Sequence, residues 1–174
     1  MVSKSSRKFI VHMVLCAIPS TRLYTLKSYL FRWAGLTLGQ NVRIVSSARV
    51  LTSGTVVIGD DSFLGHECLI VGGNAPVRIG AYVDIGPRVT FVTGTHVIKS
   101  EGPHVAGKGL SLPIDLGEGC WVCAGAIILG GTTIGPRSIV MAGAVVRGVF
   151  PEGCVIGGVP ARIVESVITA EKRK

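Results

Sequence analysis

Two histidines, His96 and His104, lie in a stretch of the chain whose pattern differs from the sequence on either side. An imidazole titrates near neutral pH, so such a residue can transfer a proton, bind a metal ion or only form a hydrogen bond with a carbonyl group. A second candidate for chemistry is the pair Cys120 and Cys123, which has the spacing of a redox motif. The surrounding elements decide between these roles.

An aliphatic or aromatic residue recurs every six positions over most of the chain, with slips of two and three residues after Val50 and Ile70. These positions are Leu38, Ile44, Val50, Ile58, Leu64, Ile70, Ile79, Ile85, Phe91, Val97, Leu116, Val122, Ile128, Ile134, Val140 and Val146. Four residues after most of them lies a small or β-branched residue, which gives a second column. A period of six is neither helical nor a simple strand alternation, and it predicts short strands joined by tight turns. Three strands make one triangular coil, so residues 38–150 are predicted to form an all-β solenoid of about five coils.

The six-residue pattern also accounts for the cysteines. Cys68 and Cys120 fall in the column of small residues, which predicts that they pack in the core. Cys120 and Cys123 lie in repeat sequence without a βαβ pattern, which argues against a redox role. Five scattered cysteines without a cleavable signal sequence favour a reducing, cytoplasmic compartment.

The repeat stops between Val97 and Leu116. Solenoids carry their variation in loops that leave one edge, so residues 98–115 are expected to form an extruded loop. The loop contains several glycines and prolines, so a helix is not expected there. We expect the loop to reach a neighbouring subunit. Residues 151–174 are expected to form a C-terminal cap and a basic tail.

Three short motifs carry a resemblance to a known family. They are "TGTH" before the loop, "GEGCW" after it and the closing "GGVPARIV". Over residues 38–165 the sequence resembles the hexapeptide-repeat acyltransferases, in particular the galactoside, maltose and nodulation-factor O-acetyltransferases. The resemblance implies a left-handed parallel β-helix, a homotrimer with its site between subunits, and acetyl transfer from acetyl-CoA. The expected acceptor is a saccharide hydroxyl, in a surface-polysaccharide or lipopolysaccharide precursor.

The resemblance also assigns roles to residues. His96 is implied to be the general base, with Trp121 walling the site, and Glu118 or Asp84 is a candidate to orient His96. The expected acceptor-binding residues are Trp121, Glu118, His66, Glu67, Asn74 and His104. The expected acetyl-CoA-binding residues are Ala124, Ala142, Gly143, Arg147 and Arg162. Sugar-binding relatives have an aspartate in the coil before the histidine, whereas this chain has none there, so a simple galactoside or maltose is not the expected acceptor.

Three other functions stay open. A relative with the same fold that acetylates an antibiotic or an amino sugar is the nearest. In the γ-type carbonic anhydrases the same prism binds zinc through histidines, but the spacings of His66, His96 and His104 do not resemble that family, and no metal is expected. The third alternative is a noncatalytic scaffold. A scaffold would not explain why the three motifs occur together in one chain.

The net positive charge of the chain comes entirely from its first third. The net charge is +8, and residues 1–59 contain Lys and Arg but no Asp or Glu. This distribution suits an anionic surface, and no nucleic-acid-binding motif accompanies it. A helix is predicted from Ser20 to about residue 36, with its apolar residues Leu23, Leu26, Leu30 and Trp33 at helical spacing.

The predicted N-terminal helical segment, residues 1–37, has two expected roles. It can cap the first coil, or its residues 1–36 can contact an anionic membrane at the cytoplasmic face. The apolar run 9–19 is too short to span a bilayer. Within it, His12 is expected on a helix surface or facing the membrane.

Overall fold

The computed structural model describes residues 4–99 and 101–172, which form three helices and twenty strands. Helices α1 (Lys4–Leu15) and α2 (Tyr24–Trp33) come first. The first three coils contain β1 (Thr37–Leu38), β2 (Arg43–Ile44), β3 (Arg49–Thr52), β4 (Val56–Ile58), β5 (Phe63–Leu64), β6 (Leu69–Gly72), β7 (Val77–Ile79), β8 (Asp84–Ile85) and β9 (Thr90–Val92).

A hairpin and the remaining coils follow. They contain β10 (Gly94–Ile98), β11 (Ala106–Ser111), β12 (Ile114–Leu116), β13 (Trp121–Val122), β14 (Ile127–Leu129), β15 (Thr132–Ile134), β16 (Ile139–Val140), β17 (Val145–Val146), β18 (Val149–Phe150), β19 (Cys154–Gly158) and β20 (Ala161–Ser166). Helix α3 (Val167–Glu171) comes last, and β20 pairs antiparallel with β19.

The coils stack as a parallel β-helix with three sheets. The first sheet runs β1-β4-β7-β12-β15-β18, the second contains β2-β5-β8-β13-β16-β19, and the third contains β3-β6-β9-β14-β17. Five coils are therefore complete and a sixth has two strands, one partial coil more than the five predicted. The corner between the first and second sheets is called the first edge, and the corner between the second and third sheets is called the second edge. The third edge is the corner at which the chain passes from the third sheet to the first sheet of the next coil.

The two predicted columns fill the prism. Every six-residue mark from Leu38 to Phe91 and from Leu116 to Val146 is buried, as the repeat predicts. The small-residue column is buried as well, including Cys68 and Cys120. Val97 is the exception, because it is 52% exposed in the hairpin. Its six-residue spacing is a coincidence, since the chain leaves the prism at Gly94 rather than after Val97.

The predicted extruded loop is an antiparallel hairpin. Its strands β10 and β11 pair Gly94 with Ser111 and His96 with Gly109. The coil resumes in register, because β12 pairs with β7 so that Leu116 lies opposite Ile79. The insertion thus leaves and rejoins the solenoid at the third edge.

Side chains from α1 and α2 satisfy the open backbone edge of the first coil. Lys8 Nζ donates to the Thr52 carbonyl at 2.6 Å, and Ser28 Oγ donates to the Val42 carbonyl at 2.8 Å. Arg32 Nη2 donates to the Gly39 carbonyl at 2.6 Å. An unpaired sheet edge invites pairing with another chain, so these bonds protect the solenoid from end-to-end association. The capping role expected of the N-terminal segment is therefore present.

The N-terminal helices differ from the prediction in start and orientation. Helix α2 begins at Tyr24, after Leu23 in the left-handed region (φ 55°), rather than at Ser20. Its buried residues are Lys27, Ser28 and Phe31, whereas Leu23, Leu26 and Trp33 are exposed. The backbone groups of the coil require hydrogen-bond donors on the inner side of the helix, and Ser28 supplies one of them. Among the helices of the described residues, none is long and apolar enough to span a bilayer.

His12 is buried rather than exposed on the helix surface. Its Nε2 lies 3.2 Å from the Val50 backbone nitrogen, whose N–H it accepts, and 3.4 Å from the Val50 carbonyl oxygen. Burial lowers the pKa of His12, the charges of Arg49 and Lys8 lower it further, and the Val50 carbonyl opposes them. The neutral imidazole is thus the form that the folded chain favours.

We predict that His12 makes the stability of the protein fall in mild acid. The pKa of His12 lies below its ordinary value of 6.5 in the folded chain, so the unfolded chain takes up the proton first as the pH falls. The stabilisation is complete above that value and is lost as the pH drops toward the lowered pKa. His12→Gln keeps a hydrogen-bond acceptor and does not titrate. Denaturant unfolding at about pH 7.5 and about pH 5.5 should show wild type losing more stability than His12→Gln.

The exposed His66 gives a matched control for the substitution itself, and His66→Gln is measured beside His12→Gln at both pH values. Parallel stability curves for wild type and His12→Gln would contradict the prediction.

Candidate active site

The β10–β11 hairpin places His96 at the third edge, beside the turn that follows β6. That turn contains two glycines that permit close packing. A Cβ at Gly73 would lie 2.9 Å from the Ser111 side chain, and Gly72 has a φ of 135°, where other residues are strained. Ser111 Oγ accepts the Ala75 N–H at 3.1 Å and so anchors β11 to the second coil. His96 is therefore presented from a strand that is tied to the prism.

The hydrogen bonding of His96 fixes its tautomer. Its Nδ1 lies 2.9 Å from the carbonyl oxygen of Gly107, on the facing strand of the hairpin. A carbonyl oxygen only accepts, so Nδ1 must carry the proton and the neutral ring keeps its lone pair on Nε2. Glu118 and Asp84 were expected to orient His96, but within one chain the Gly107 backbone occupies that position. The ring is arranged to accept a proton at Nε2.

A cleft of about 560 Å³ lies beside His96 at the third edge. Its polar lining consists of hydroxyl and amide groups from Ser53, Asn74, Thr95 and Ser111, and none of the residues lining it is Asp, Glu, Lys or Arg. Asn74 was predicted from the sequence, whereas Ser53 and Ser111 were missed. They are missed because serine is common in turns and only the stacking of coils brings these two together.

The other predicted acceptor-binding residues lie elsewhere in the chain. Trp121 begins β13 and is exposed on the second sheet, where it pairs with Asp84 and Ile139. Glu118 lies in the first-edge turn before it. His66 and Glu67 lie at the second edge, where Glu67 has a φ of 57° and its N–H donates to Ser47 Oγ at 3.0 Å. His104 lies exposed in the connection between β10 and β11. One chain thus brings Asn74 to His96 and keeps the rest on other faces.

The predicted acetyl-CoA-binding residues lie at three places: the second edge, the third edge and strand β20. Ala124 and Gly143 are stacked at the second edge of the fourth and fifth coils, where the Gly143 N–H donates to the Ala124 carbonyl at 3.0 Å, and Ala142 precedes Gly143. A Cβ at Gly143 would meet nothing within 4 Å, so the surface there is open. Arg147 follows β17 at the third edge, and Arg162 lies in β20 with its Nη1 bonded to the Ala161 carbonyl.

The cysteines have the environment of core residues. Cys120 Sγ lies 3.3 Å from the Gly135 carbonyl oxygen, and burial raises the pKa of both Cys120 and Cys123. Burial raises the pKa of Cys68 to about 11. A raised pKa removes the thiolate that redox chemistry requires, so the packing role predicted for Cys68 and Cys120 is confirmed. Across residues 4–99 and 101–172, no group of three or more His, Cys, Asp or Glu side chains is placed to hold a metal ion.

Comparison with known proteins gives matches to one kind of protein. Residues 113–148 match the family model "Bacterial transferase hexapeptide (six repeats)". Two fungal relatives provisionally named acetyltransferases, from Saccharomyces cerevisiae and Schizosaccharomyces pombe, are 33% and 32% identical over 64% of this chain. The chain spans 56% and 53% of their lengths, a little over half.

A bacterial relative matches over more of the chain. WcaF of Escherichia coli, provisionally named a colanic acid biosynthesis acetyltransferase, is 28% identical over 86% of this chain and 79% of its own length.

A solved structure agrees with these sequence matches. A hexapeptide-repeat-containing acetyltransferase from Vibrio cholerae, complexed with acetyl coenzyme A, superimposes with a TM-score of 0.79 at 26% identity. The superposition covers 94% of this chain and 86% of that one. The six-residue columns, the stacked coils and these matches agree: residues 113–148 carry the bacterial transferase hexapeptide repeat, and the chain is similar in sequence and fold to hexapeptide-repeat acetyltransferases.

Proposed function

We propose that this protein transfers an acetyl group from acetyl-CoA to a hydroxyl of a saccharide, with His96 as the general base. The observation that carries the proposal is the bond between His96 Nδ1 and the Gly107 carbonyl, which leaves Nε2 as a proton acceptor at a polar cleft. A histidine that only stabilised the hairpin would need the same bond but no cleft. The acetyl-CoA complex of the Vibrio cholerae relative supports the choice of donor.

The proposed step needs no covalent enzyme intermediate. His96 Nε2 takes the hydroxyl proton while the hydroxyl oxygen attacks the thioester carbonyl carbon, and the C–S bond breaks. The imidazolium then gives its proton to the departing thiolate, so the products are an acetyl ester and a free thiol. A base of this kind contributes about 10²- to 10⁴-fold to the rate.

The chain's residues offer a place for each part of the donor. The second edge has small residues at Ala124, Ala142 and Gly143, so an extended pantetheine arm can lie against the backbone there. Arg147 and Arg162 are the candidates for its phosphates, through charge-assisted hydrogen bonds.

The lining of the cleft favours a neutral acceptor. Within one chain the described lining of the cleft offers hydroxyl and amide groups rather than carboxylates, so a carboxylate to hold the ammonium group of an amino sugar would have to come from a neighbouring copy. Hydroxyl and amide groups suit the hydroxyls of an uncharged sugar. The likeness to WcaF supports an acceptor from polysaccharide biosynthesis.

We further propose that the working form is a homotrimer with shared sites. Trp121 and His96 lie on different faces of the prism, so one chain cannot place both beside one acceptor. A neighbouring copy, packed edge to face, would supply the second residue. Cyclic symmetry would repeat this contact at every interface.

The first experiment tests the base. His96→Gln should lower the rate of thiol release from acetyl-CoA by about 10²-fold or more, with saccharides and lipid-linked saccharides as acceptors. Acetyl-CoA binding, measured by calorimetry, should be retained because His96 is not placed at the second edge. Equal rates for wild type and variant would exclude His96 as base, and failure of wild type to bind acetyl-CoA would favour a scaffold.

The second experiment tests how His96 is positioned. A Cβ at Gly107 would lie 2.9 Å from the Val97 carbonyl oxygen, whereas one at Gly109 would meet nothing within 4 Å. We therefore expect Gly107→Ala to displace the carbonyl that holds Nδ1, and Gly109→Ala to leave it in place. ¹⁵N NMR of the imidazole should show the Nδ1–H tautomer in wild type and Gly109→Ala, with a lower population in Gly107→Ala. The same tautomer ratio in all three proteins would show that this bond does not set the ring.

The third experiment tests the shared site. His96→Gln and Trp121→Ala are each expected to be inactive as homotrimers. After equal amounts are unfolded and refolded together, about a quarter of the sites should combine an intact His96 with an intact Trp121 from a neighbour. Thiol release should recover to that fraction of the wild-type rate. No recovery in mixed trimers would contradict a site made by these two residues from different copies.

A further inference from the structure

The two N-terminal helices turn much of their polar surface inward and an apolar surface outward. Lys8, His12, Lys27 and Ser28 are buried or nearly so, because they bond to backbone groups of the first coil and of the α1–α2 connection. The exposed large apolar side chains of this hairpin are Phe9, Ile10, Met13, Val14, Leu23, Leu26, Tyr29 and Trp33. The inner side also contains the buried residues Val11, Leu15 and Phe31, so apolar residues occur on both sides of this hairpin, whereas a surface helix of a globular protein has them mainly on the inner side.

The exposed residues form one stripe on each helix. In α1, Phe9 is 67% and Met13 61% exposed, and the two are four residues apart. In α2, Leu26, Tyr29 and Trp33 recur at helical spacing, and Tyr29 is 67% exposed. Residues three or four apart lie on one side of a helix, so each helix has a continuous apolar outer side.

The two stripes lie on the same end of the solenoid. The helices are antiparallel, because Arg7 of α1 donates to the Trp33 carbonyl at 3.0 Å while Lys27 of α2 donates to the Pro19 and Ser20 carbonyls of the connection. Helix α1 packs on β3, and α2 packs on β1 and β2. The hairpin therefore lies across the end of the first coil, with its outer side turned away from the stack. We call this outer side the end face.

The end face is bordered by basic residues, whereas acidic residues that contact the first coil, such as Asp60 and Glu67, lie in turns of the second coil. Residues 1–59 contain no Asp or Glu, and Arg22, Arg32 and Arg49 are exposed around the helices. Arg32, which helps to cap the first coil, bonds to the carbonyl groups of Leu38 and Gly39. Two copies that met through this face would bring like charges together in a desolvated contact, which is unfavourable. An anionic partner has the complementary charge.

We propose that the end face binds the surface of an anionic phospholipid bilayer, with Phe9, Met13 and Tyr29 inserted among the headgroups. Exposed apolar and aromatic side chains beside basic residues are the pattern of helices that lie in a membrane interface. Basic residues near such a surface add attraction to anionic lipids. The inference is independent of the proposed transfer reaction.

This orientation sets the height of the candidate active site. The hairpin with His96 leaves the third coil, two spacings of about 4.8 Å above the first, and the helix layer adds about 10 Å. His96 thus lies on the order of 20 Å above the bilayer surface. That height is within reach of a saccharide attached to a membrane lipid.

The test is co-sedimentation of the full chain with vesicles. Wild type should bind vesicles of phosphatidylcholine with phosphatidylglycerol at physiological salt, bind phosphatidylcholine alone much less, and lose affinity as salt rises. The double variant Phe9→Ser, Met13→Ser should lose about tenfold or more in affinity. Both side chains are exposed, so folding is expected to persist and is checked by thermal unfolding.

The matched control is Ile168→Ser in α3, because Ile168 is 67% exposed, as Phe9 is, and lies in the C-terminal region. It should bind vesicles as wild type does. Absence of wild-type binding, equal binding to neutral vesicles, or equal affinity of the double variant and wild type would overturn the proposal. A change in molecular mass by light scattering in the double variant, with vesicle binding intact, would show that a second copy covers the face.

Discussion

Backbone hydrogen bonding between successive coils is the constraint on which the rest of this structure depends. Each strand must meet its partners in the coils above and below, so the turns must pass one another at backbone distance. Glycine follows the first-sheet strand in the first five coils, and a Cβ at Gly80 would lie 2.7 Å from the Glu118 backbone nitrogen. An insertion can be accommodated only where it leaves and rejoins at one corner. The hairpin that carries His96 does so, since β7 and β12 pair across it as if it were absent.

The same constraint explains the N-terminal helices. A stack of parallel coils ends with unpaired N–H and C=O groups, and those of the first coil are met by side chains of Lys8, His12, Ser28 and Arg32. Donors must therefore face inward, which turns apolar residues outward. Lys8 and Arg32 are two of the eight basic residues in residues 1–59, so most of the positive charge of this part of the chain lies outside these bonds. Capping and a basic, apolar end face are consequences of one arrangement.

The sequence predicted the repeating part of the fold well and the irregular parts poorly, for physical reasons. Each coil repeats one environment, so the burial of Leu64 or Ile128 follows from spacing alone. The spacing of Leu23, Leu26 and Trp33 did not show which side of α2 faces the coil, because that side is set by buried backbone groups to which Ser28 bonds. His96 was identified by its motif, but its partner was not. The Gly107 carbonyl is a backbone group that has no signature in the sequence and comes into place only when the hairpin pairs.

The filled prism limits where chemistry can occur. Its interior is occupied by side chains such as Ile85, Phe91 and Ile128, all fully buried, so no substrate can enter the coils. A reacting group must lie outside, on a convex surface that water reaches freely. Transfer from a thioester competes with its hydrolysis and benefits from exclusion of water. The cleft beside His96 is walled on one side only by its own chain, whereas a neighbouring prism would form the opposite wall. For the proposed reaction, assembly is therefore what converts an exposed histidine into an enclosed base.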